Sequence, residues 1–503
     1  MDTEAGRRGW RVRRFRSELP SPSSLPPTLA LMEKDLEAWL VDIDIPVGTP
    51  FLISPLFEYD VTLNSFFCSA YMLGTSRRTQ LGYARDVAAF LTFLWCSRGG
   101  RSWRDADEAD HVAYLVWRRK DQSGPRVSDA TWDREVAAVN SFYQWQVKAG
   151  NLRVNPIPQR PTRSRPVEAG RIAAQSSHTP ATYSHGAGRK HITWLPASSY
   201  RRWRDVGMRG YTTTGLPDPR FRGRWASRNA AFCDLMVRTG LRLSEQAALT
   251  VFEVPLDRGY GGYQRFWLPP APAKGGSARW IYVPMSVIAD LIAYLEIDRA
   301  TAIAEARAAG RYARMPRPLV VPDPMQPVAV RHHVGGRQRI KISNLDDEDR
   351  QQLLIDGPNG LEPAAFWLSE YGLPVAVPTW KNLFATANAR CRRKGLSLRA
   401  HPHMLRHTYA VLTLEQLQRG QIDVLGELTS VQRAHYTRVF GDPLDWVRRR
   451  LGHQSVTTTQ IYLDALAELE METRMALVPD DWEDPRGMSF DDLVEDRPTS
   501  GAG

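Results

Sequence analysis

Residues 451–464 read LGHQSVTTTQIYLD, and the tyrosine near the end of that stretch is what has to be explained. Tyr462 follows His453, which sits just after Gly452, by nine residues (462 − 453). Alone, such a tyrosine is a packing residue whose hydroxyl finds one partner. Three further stretches change that reading. Residues 401–410, HPHMLRHTYA, set His403 and Arg406 three positions apart, on one face if the segment is helical, with His401 and His407 beside them. Residues 238–250, RTGLRLSEQAALT, put Gly240 at a bend and Arg242 just before a helix. Ser244 is expected to cap that helix, and Glu245 suits its positive N-terminus. Residues 272–284, PAKGGSARWIYVP, place Lys274 beside the turn formers Gly275, Gly276 and Ser277, at or near a β-hairpin tip. Each piece has an ordinary reading by itself, because arginines near helix ends and lysines on hairpins are commonly just solvated.

Around these stretches the periodicity predicts a mainly α protein with a small β-sheet. Tyr83, Val87, Phe90, Leu91 and Leu94 recur at helix spacing, as do Trp132, Val136, Val139 and Tyr143, with Val112, Leu115 and Val116 between them. Residues 48–158 are therefore expected to form a helical domain, preceded by a basic, then Ser/Pro-rich flexible arm over 1–47. A Pro-, Ser-, Gly- and Arg-rich linker is expected over 159–190. A second domain is expected over 191–477, with strands at YQRFWLP and ARWIYVP and helices near 380–393, 403–418 and 445–451. Residues 478–503 form an acidic tail carrying Trp482, Phe490 and Leu493, read either as a segment that docks between protomers or as a solubilising end.

The chain has 503 residues, more than one ordinary core, and its net charge of +11 admits a polyanionic partner without identifying one. Only eight of its 66 basic residues are lysines, a bias that suits phosphate contacts and equally a GC-rich genome. Cys68, Cys96, Cys233 and Cys391 lie far apart, which argues against a disulfide framework or a zinc site and for a reduced, cytoplasmic compartment. No apolar run is long enough to cross a membrane. The histidine cluster lacks the glutamate of a metalloprotease helix and has no cysteine beside it, so no metal is expected. No P-loop or carboxylate cluster is present, and no cofactor is expected.

Taken together, TGLRLSE, a hairpin lysine, HxLRH and LGHxSxxTTxxY resemble, in that order, the motif set of the tyrosine recombinases of the phage-integrase family. The resemblance implies a helical core-binding, SAM-like domain and a catalytic domain that close as a C-shaped clamp on double-stranded DNA. It places the family's catalytic set on Arg242, Lys274, His403, Arg406, His453 and Tyr462, with Glu245 and His407 in support. It implies strand cleavage through a 3′-phosphotyrosyl link, exchange through a Holliday junction, and a homotetramer on two DNA sites, with accessory proteins in some systems. The expected setting is a bacterial, nucleoid-associated recombinase serving integration, excision or transposition of a mobile element. It also turns Arg77, Arg78, Arg85, Arg118 and Arg119, otherwise a solvated helix face, into expected DNA-backbone contacts.

The chemistry fits those residue types. Two guanidiniums grip both non-bridging oxygens of a phosphodiester as charge builds on them. A tyrosine, with a pKa of about 10, needs a base or nearby positive charge to attack at neutral pH. His403 is expected to handle its proton, His453 to bond the phosphate, and Lys274 to protonate the leaving 5′ oxygen. Two stretches look expanded relative to short family members, about 303–375, which holds VRHHVGGRQRIK, and 414–444. They are read as DNA contacts, protomer bridges or surface decoration. Two alternatives stay open at this point: strand relaxation of the type IB topoisomerase kind, and a catalytically silent DNA-binding regulator.

Overall fold

The computed structural model describes residues 9–15, 45–161, 178–184, 192–255, 262–315, 318–333, 336–427, 429 and 442–475. The chain divides into two compact units, Met1–Gly188 and Arg189–Gly503. The acidic tail and residues 428 and 430–441 of the 414–444 stretch lie outside the described residues.

In the first unit three long helices carry the core: α3 (Arg77–Ser97), α4 (Glu108–Arg119) and α5 (Asp129–Lys148), after two single-turn helices, α1 (Val61–Asn64) and α2 (Ala70–Leu73). On α3 and α5 the residues that set the helical periodicity are buried: Val87, Phe90 and Leu94 meet Trp132, Val136, Val139 and Tyr143. On α4, by contrast, the expected Val112 and Val116 are exposed, and Asp110, His111 and Tyr114 face inward. Each helix starts where a short polar side chain takes a free backbone N–H: Ser76, Asp107 and Ser128 all accept from the third helical residue.

Two expectations need correction here. Residues 9–15 are not a loose arm. They form β1 (Arg11–Arg14), antiparallel to β2 (Pro50–Ile53), with Trp10 and Val12 packed on the helical core and the Trp10 N–H donating to Thr92 Oγ1 at 3.0 Å. The alternation of Trp10 and Val12 was short and hidden among arginines. Likewise, both ends of the expected linker dock on this unit. β3 (Gln159–Pro161) pairs with β4 (His178–Pro180), and the Thr182 carbonyl accepts the Trp132 indole N–H at 2.8 Å.

The second unit begins with α6 (Ala197–Trp203), the buried α7 (Ala226–Thr239) and the short α8 (Leu243–Ala247). β5 (Tyr263–Leu268) and β6 (Arg279–Pro284) pair as the expected hairpin, followed by α9 (Met285–Ala293) and α10 (Ala300–Ala308). α12 (Val377–Arg393), α13 (Pro402–Glu427), α14 (Pro443–Leu451) and α15 (Thr457–Met475) complete it. The core gathers on α7: Phe232 stacks on Trp380 of α12, ring centroids 3.6 Å apart, and Leu235 and Met236 are fully covered.

The stretch near 303–375 has a structure that local patterns did not announce. It is a five-stranded sheet in the order β11-β10-β7-β8-β9, built from β7 (Leu319–Val321), β8 (Val328–His333), β9 (Gly336–Lys341), β10 (Leu353–Gly357) and β11 (Gly360–Pro363), with α11 (Asp347–Gln351) on the way. Its core packs against Val251 and Phe252, just beyond α8. Arg350, 1% exposed, ties the two together through Glu253 at 2.8 Å.

Candidate active site

Gly240 ends α7 in the left-handed region, with φ of 66°. A Cβ there would stand 2.4 Å from the Tyr409 ring of α13, so both the bend and the close helix approach require glycine. The bend aims Arg242 into the start of α8. Glu245, rather than the expected Ser244, caps that helix, its carboxylate accepting the Arg242 backbone N–H at 3.0 Å. The same carboxylate takes the Arg242 guanidinium at 2.8 Å and that of Arg279 at 2.6 Å. Burial works to raise the Glu245 pKa, but Arg279 and Arg242 overcome it and hold it down to about 2.

Arg279 was missed in the sequence. Its signal lay in ARWIYVP: Arg279 falls in the inward phase of β6 with Ile281 and Val283, while Trp280 and Tyr282 face outward. An arginine in the buried phase of a strand needs partners, and this one also donates to the Arg450 carbonyl at 2.8 Å. It thereby ties the hairpin to the end of α14, where Gly452, with φ of 65°, leaves space for Ser277 and Arg279.

Arg406, 2% exposed on α13, donates to the carbonyls of Gly240 and Leu451 and, at 3.2 Å, to His453 Nε2. No carboxylate pairs with it among the described residues. Burial and the neighbouring Arg242 push its pKa down to about 9. As acceptor of that bond, His453 is neutral with its proton on Nδ1, which lies 3.0 Å from Thr459 Oγ1. Burial, then Arg406 and Arg242, lower the His453 pKa to about 3.

Tyr462 of α15 is 1% exposed, and its hydroxyl lies 3.1 Å from Nδ1 of His407. The expectation gives the handling of that proton to His403, whereas the hydroxyl's hydrogen-bond partner is His407. His403 and His407 are one turn apart on α13 and stack in parallel, 5.4 Å between ring centroids, and Tyr462 meets the later of the two. Burial and the adjacent His403 lower the His407 pKa to about 4. Burial raises that of Tyr462, while Arg406 and Arg242 oppose the rise. Lys274 is exposed in the β5–β6 loop, and its charge is among those that depress His403. The structure thus brings Arg242, Glu245, His403, Arg406, His407, His453 and Tyr462 together, with Lys274 at the rim. A cavity of about 620 Å³ opens beside them between the hairpin loop and α14, lined by Trp267, Trp280, Arg450 and His453. Among the described residues no group of three or more His, Cys, Asp or Glu side chains is placed to hold a metal ion.

A profile of the phage integrase N-terminal SAM-like domain matches residues 71–150, the span that holds α3, α4 and α5. Tyrosine recombinase XerC of Lactobacillus delbrueckii subsp. bulgaricus is 22% identical over 388 residues, covering 77% of this chain and 88% of the relative. XerC of Salmonella typhi is 22% identical over 394 residues, covering 78% and 87%. In sequence the chain is thus similar to the tyrosine recombinases, and its helical domain to that of the phage integrases. Among solved structures, the chain is similar to XerH bound to its difH substrate, with 15% identity, a TM-score of 0.42 and coverage of 80% of this chain and 79% of that one. It is also similar to the Tn1549 transposon integrase in complex with a circular intermediate DNA, with 11% identity, a TM-score of 0.45 and coverage of 82% and 99%.

The arginines expected on DNA divide in the first unit. Arg77, Arg78 and Arg85 are exposed along α3. Arg118 is not: its guanidinium is paired with the buried Glu135, which also takes the Tyr114 hydroxyl at 3.1 Å, so the expectation of a phosphate contact there is withdrawn. Arg119 is held by Asp129 in the first turn of the next helix and is withdrawn with it.

Proposed function

We propose that the chain is a site-specific DNA recombinase that cuts and rejoins strands through a 3′-phosphotyrosyl link at Tyr462. One observation carries this reading: two arginines, a hydroxyl and three histidines from α8, α13, α14 and α15 converge where positive charge exceeds negative. Glu245 is shared by two cations, Arg242 and Arg279, and among the described residues Arg406 is left with two carbonyls and the neutral His453 ring. A phosphodiester supplies the missing anion.

In the proposed reaction Arg242 and Arg406 hold the non-bridging oxygens. Neutral His453, once its proton moves from Nδ1 to Nε2 and the Thr459 hydroxyl donates to Nδ1, donates to one of them in place of its contact with Arg406. His407 accepts the Tyr462 hydroxyl proton as the phenolic oxygen bonds to phosphorus. The bond from phosphorus to the 5′ oxygen breaks, and Lys274 protonates that oxygen. Glu245 and Arg279 touch no substrate; they fix the direction of Arg242. Rejoining reverses these steps with the 5′ hydroxyl of a partner strand, so the phosphodiester energy is kept in the covalent link. Attack requires the buried Tyr462 to be uncovered, which a shift of α15 accomplishes. Exchange proceeds through a Holliday junction in a homotetramer on two duplexes, in the bacterial cytoplasm at the nucleoid, with integration, excision or transposition of a mobile element as the outcome and accessory proteins assisting. Arg77, Arg78 and Arg85 bind the DNA backbone in the first unit.

The test is covalent trapping on a nicked duplex that carries the recombination site, the site itself being read by sequencing junctions on DNA flanking the gene. Wild-type protein is expected to form a protein–DNA adduct. Tyr462→Phe is expected to bind the duplex and form none. A normal adduct yield from Tyr462→Phe overturns the assignment.

A further inference from the structure

The sheet inserted between β6 and α12 has a face with no role so far. β9 is its edge strand. In the β8–β9 ladder, Val328 faces Lys341, Val330 faces Arg339 and His332 faces Arg337. The other phase of the ladder is the inward one, because Ala329 is fully buried and Ile340 packs on the sheet's core. Arg337, Arg339 and Lys341 therefore project together from the outward face, and all three are exposed. Among the described residues no carboxylate pairs with any of them, whereas Arg331 on the adjacent strand is held by Asp349 at 2.7 Å. Successive cations on one strand face stand about 6.7 Å apart, two residues of extended rise. That is a straight row of charge, supported from behind by the packed core and by the Arg350–Glu253 tie to the segment after α8.

We propose that this face is a second contact for the backbone of duplex DNA, separate from the tyrosine site; the proposal rests on the recombinase reading above. An extended row of cations follows a polyanion whose charges are also regularly spaced, and two of the three present the planar fork that suits phosphate oxygens. The face holds the complex without reading base sequence. The competing explanation is that charge on an edge strand merely prevents edge-to-edge pairing.

The two separate in one set of measurements. Binding of a mixed-sequence duplex of about 60 base pairs is followed by fluorescence anisotropy across salt concentrations, for wild type and for the triple variant Arg337→Gln, Arg339→Gln, Lys341→Gln. Each lost phosphate contact lowers the slope of log affinity against log salt by about 0.9, so the triple variant is expected to lose about 2 to 3 from the wild-type slope. The charge-keeping pair Arg337→Lys, Arg339→Lys is expected to retain it. Adduct formation by the triple variant on a short nicked duplex is expected to match wild type, since the tyrosine site is untouched. An unchanged slope overturns the proposal, and self-association of the triple variant with an unchanged slope assigns β9 to edge protection instead. Wild-type protein that forms no adduct at all defeats the recombinase reading itself, an outcome distinct from the loss of this face alone.

Discussion

Both units set arginines against buried charge, and they do so in opposite ways. In the helical unit every buried carboxylate of the α3–α5 contact has an arginine: Glu135 has Arg118, Asp86 has Arg134 at 2.8 Å, and Asp110 has Arg98 and Arg101, each at 2.6 Å. Around Tyr462 a single carboxylate, Glu245, serves Arg242 and Arg279, and Arg406 has none. Matched pairs of the first kind fix helix packing. An unmatched buried cation stays costly until an anion arrives, so the second arrangement spends stability on a ligand site.

Substitution of one arginine from each region tests this difference most strongly. Arg406→Lys keeps a charge but loses the fork, and is expected to cut the rate of adduct formation by about 10²- to 10³-fold, the scale of losing one oxyanion donor, with little change in melting temperature. Arg118→Gln leaves the buried Glu135 with the Tyr114 hydroxyl and the more distant Arg134, 4.0 Å away. It is expected to destabilise the helical unit by about 3 kcal/mol, the lower end for a broken buried pair. At a temperature where that variant stays folded, its adduct rate per bound molecule should match wild type. Reversed outcomes, with Arg406 the stabiliser and Arg118 the catalyst, break the comparison.

Lys274 comes next in size. Lys274→Ala is expected to slow cleavage about 10²- to 10⁴-fold, as for a missing general acid. A substrate with sulfur in place of the bridging 5′ oxygen needs no proton to leave, so it should restore the rate. Rescue that fails for Lys274→Ala but succeeds for Lys341→Ala moves the role to the other lysine.

Smaller effects follow from the histidines. His453 and His407 have folded pKa values of about 3 and about 4, below the ordinary 6.5. The unfolded chain therefore binds more protons between these values, and stability present above pH 6.5 is lost as pH falls through the window. For the half-buried His453 ring the loss is about 1 kcal/mol near pH 5 once solvent screening is allowed for. Denaturant unfolding at several pH values should show the second unit weakening toward acid and His453→Gln flattening that slope. Glu245, held down to about 2 from the ordinary carboxylate range, adds to the loss in the same direction, but only below about pH 4.5. The smallest expected effect is that of EDTA, which should leave adduct formation unchanged because guanidiniums do the work a nuclease gives to cations.

Much of this was legible in the sequence, and the misses share a cause. The α3 and α5 stripes, the hairpin and the cluster around Tyr462 rest on local periodicity or on short motifs. What escaped depended on partners distant in the chain. β7 is three residues long and pairs in parallel with β10, more than thirty positions away, so no local pattern marks it. β1 is fixed by β2 and Thr92. Arg118 looked like a solvated helix residue until Glu135 of the next helix was in place. The Tyr462–His407 contact is set by how α15 lies on α13, whereas the family resemblance pointed to His403.

Identifying the residue that carries the nucleotide is the most direct check on the central claim. Wild-type protein trapped on the nicked duplex would be digested with nuclease and protease, and the peptide bearing the residual nucleotide sequenced by mass spectrometry. The account predicts the modification on Tyr462, as a phosphodiester to a 3′ oxygen. Attachment at Tyr409 or Tyr436, or linkage through a 5′ phosphate, would contradict it.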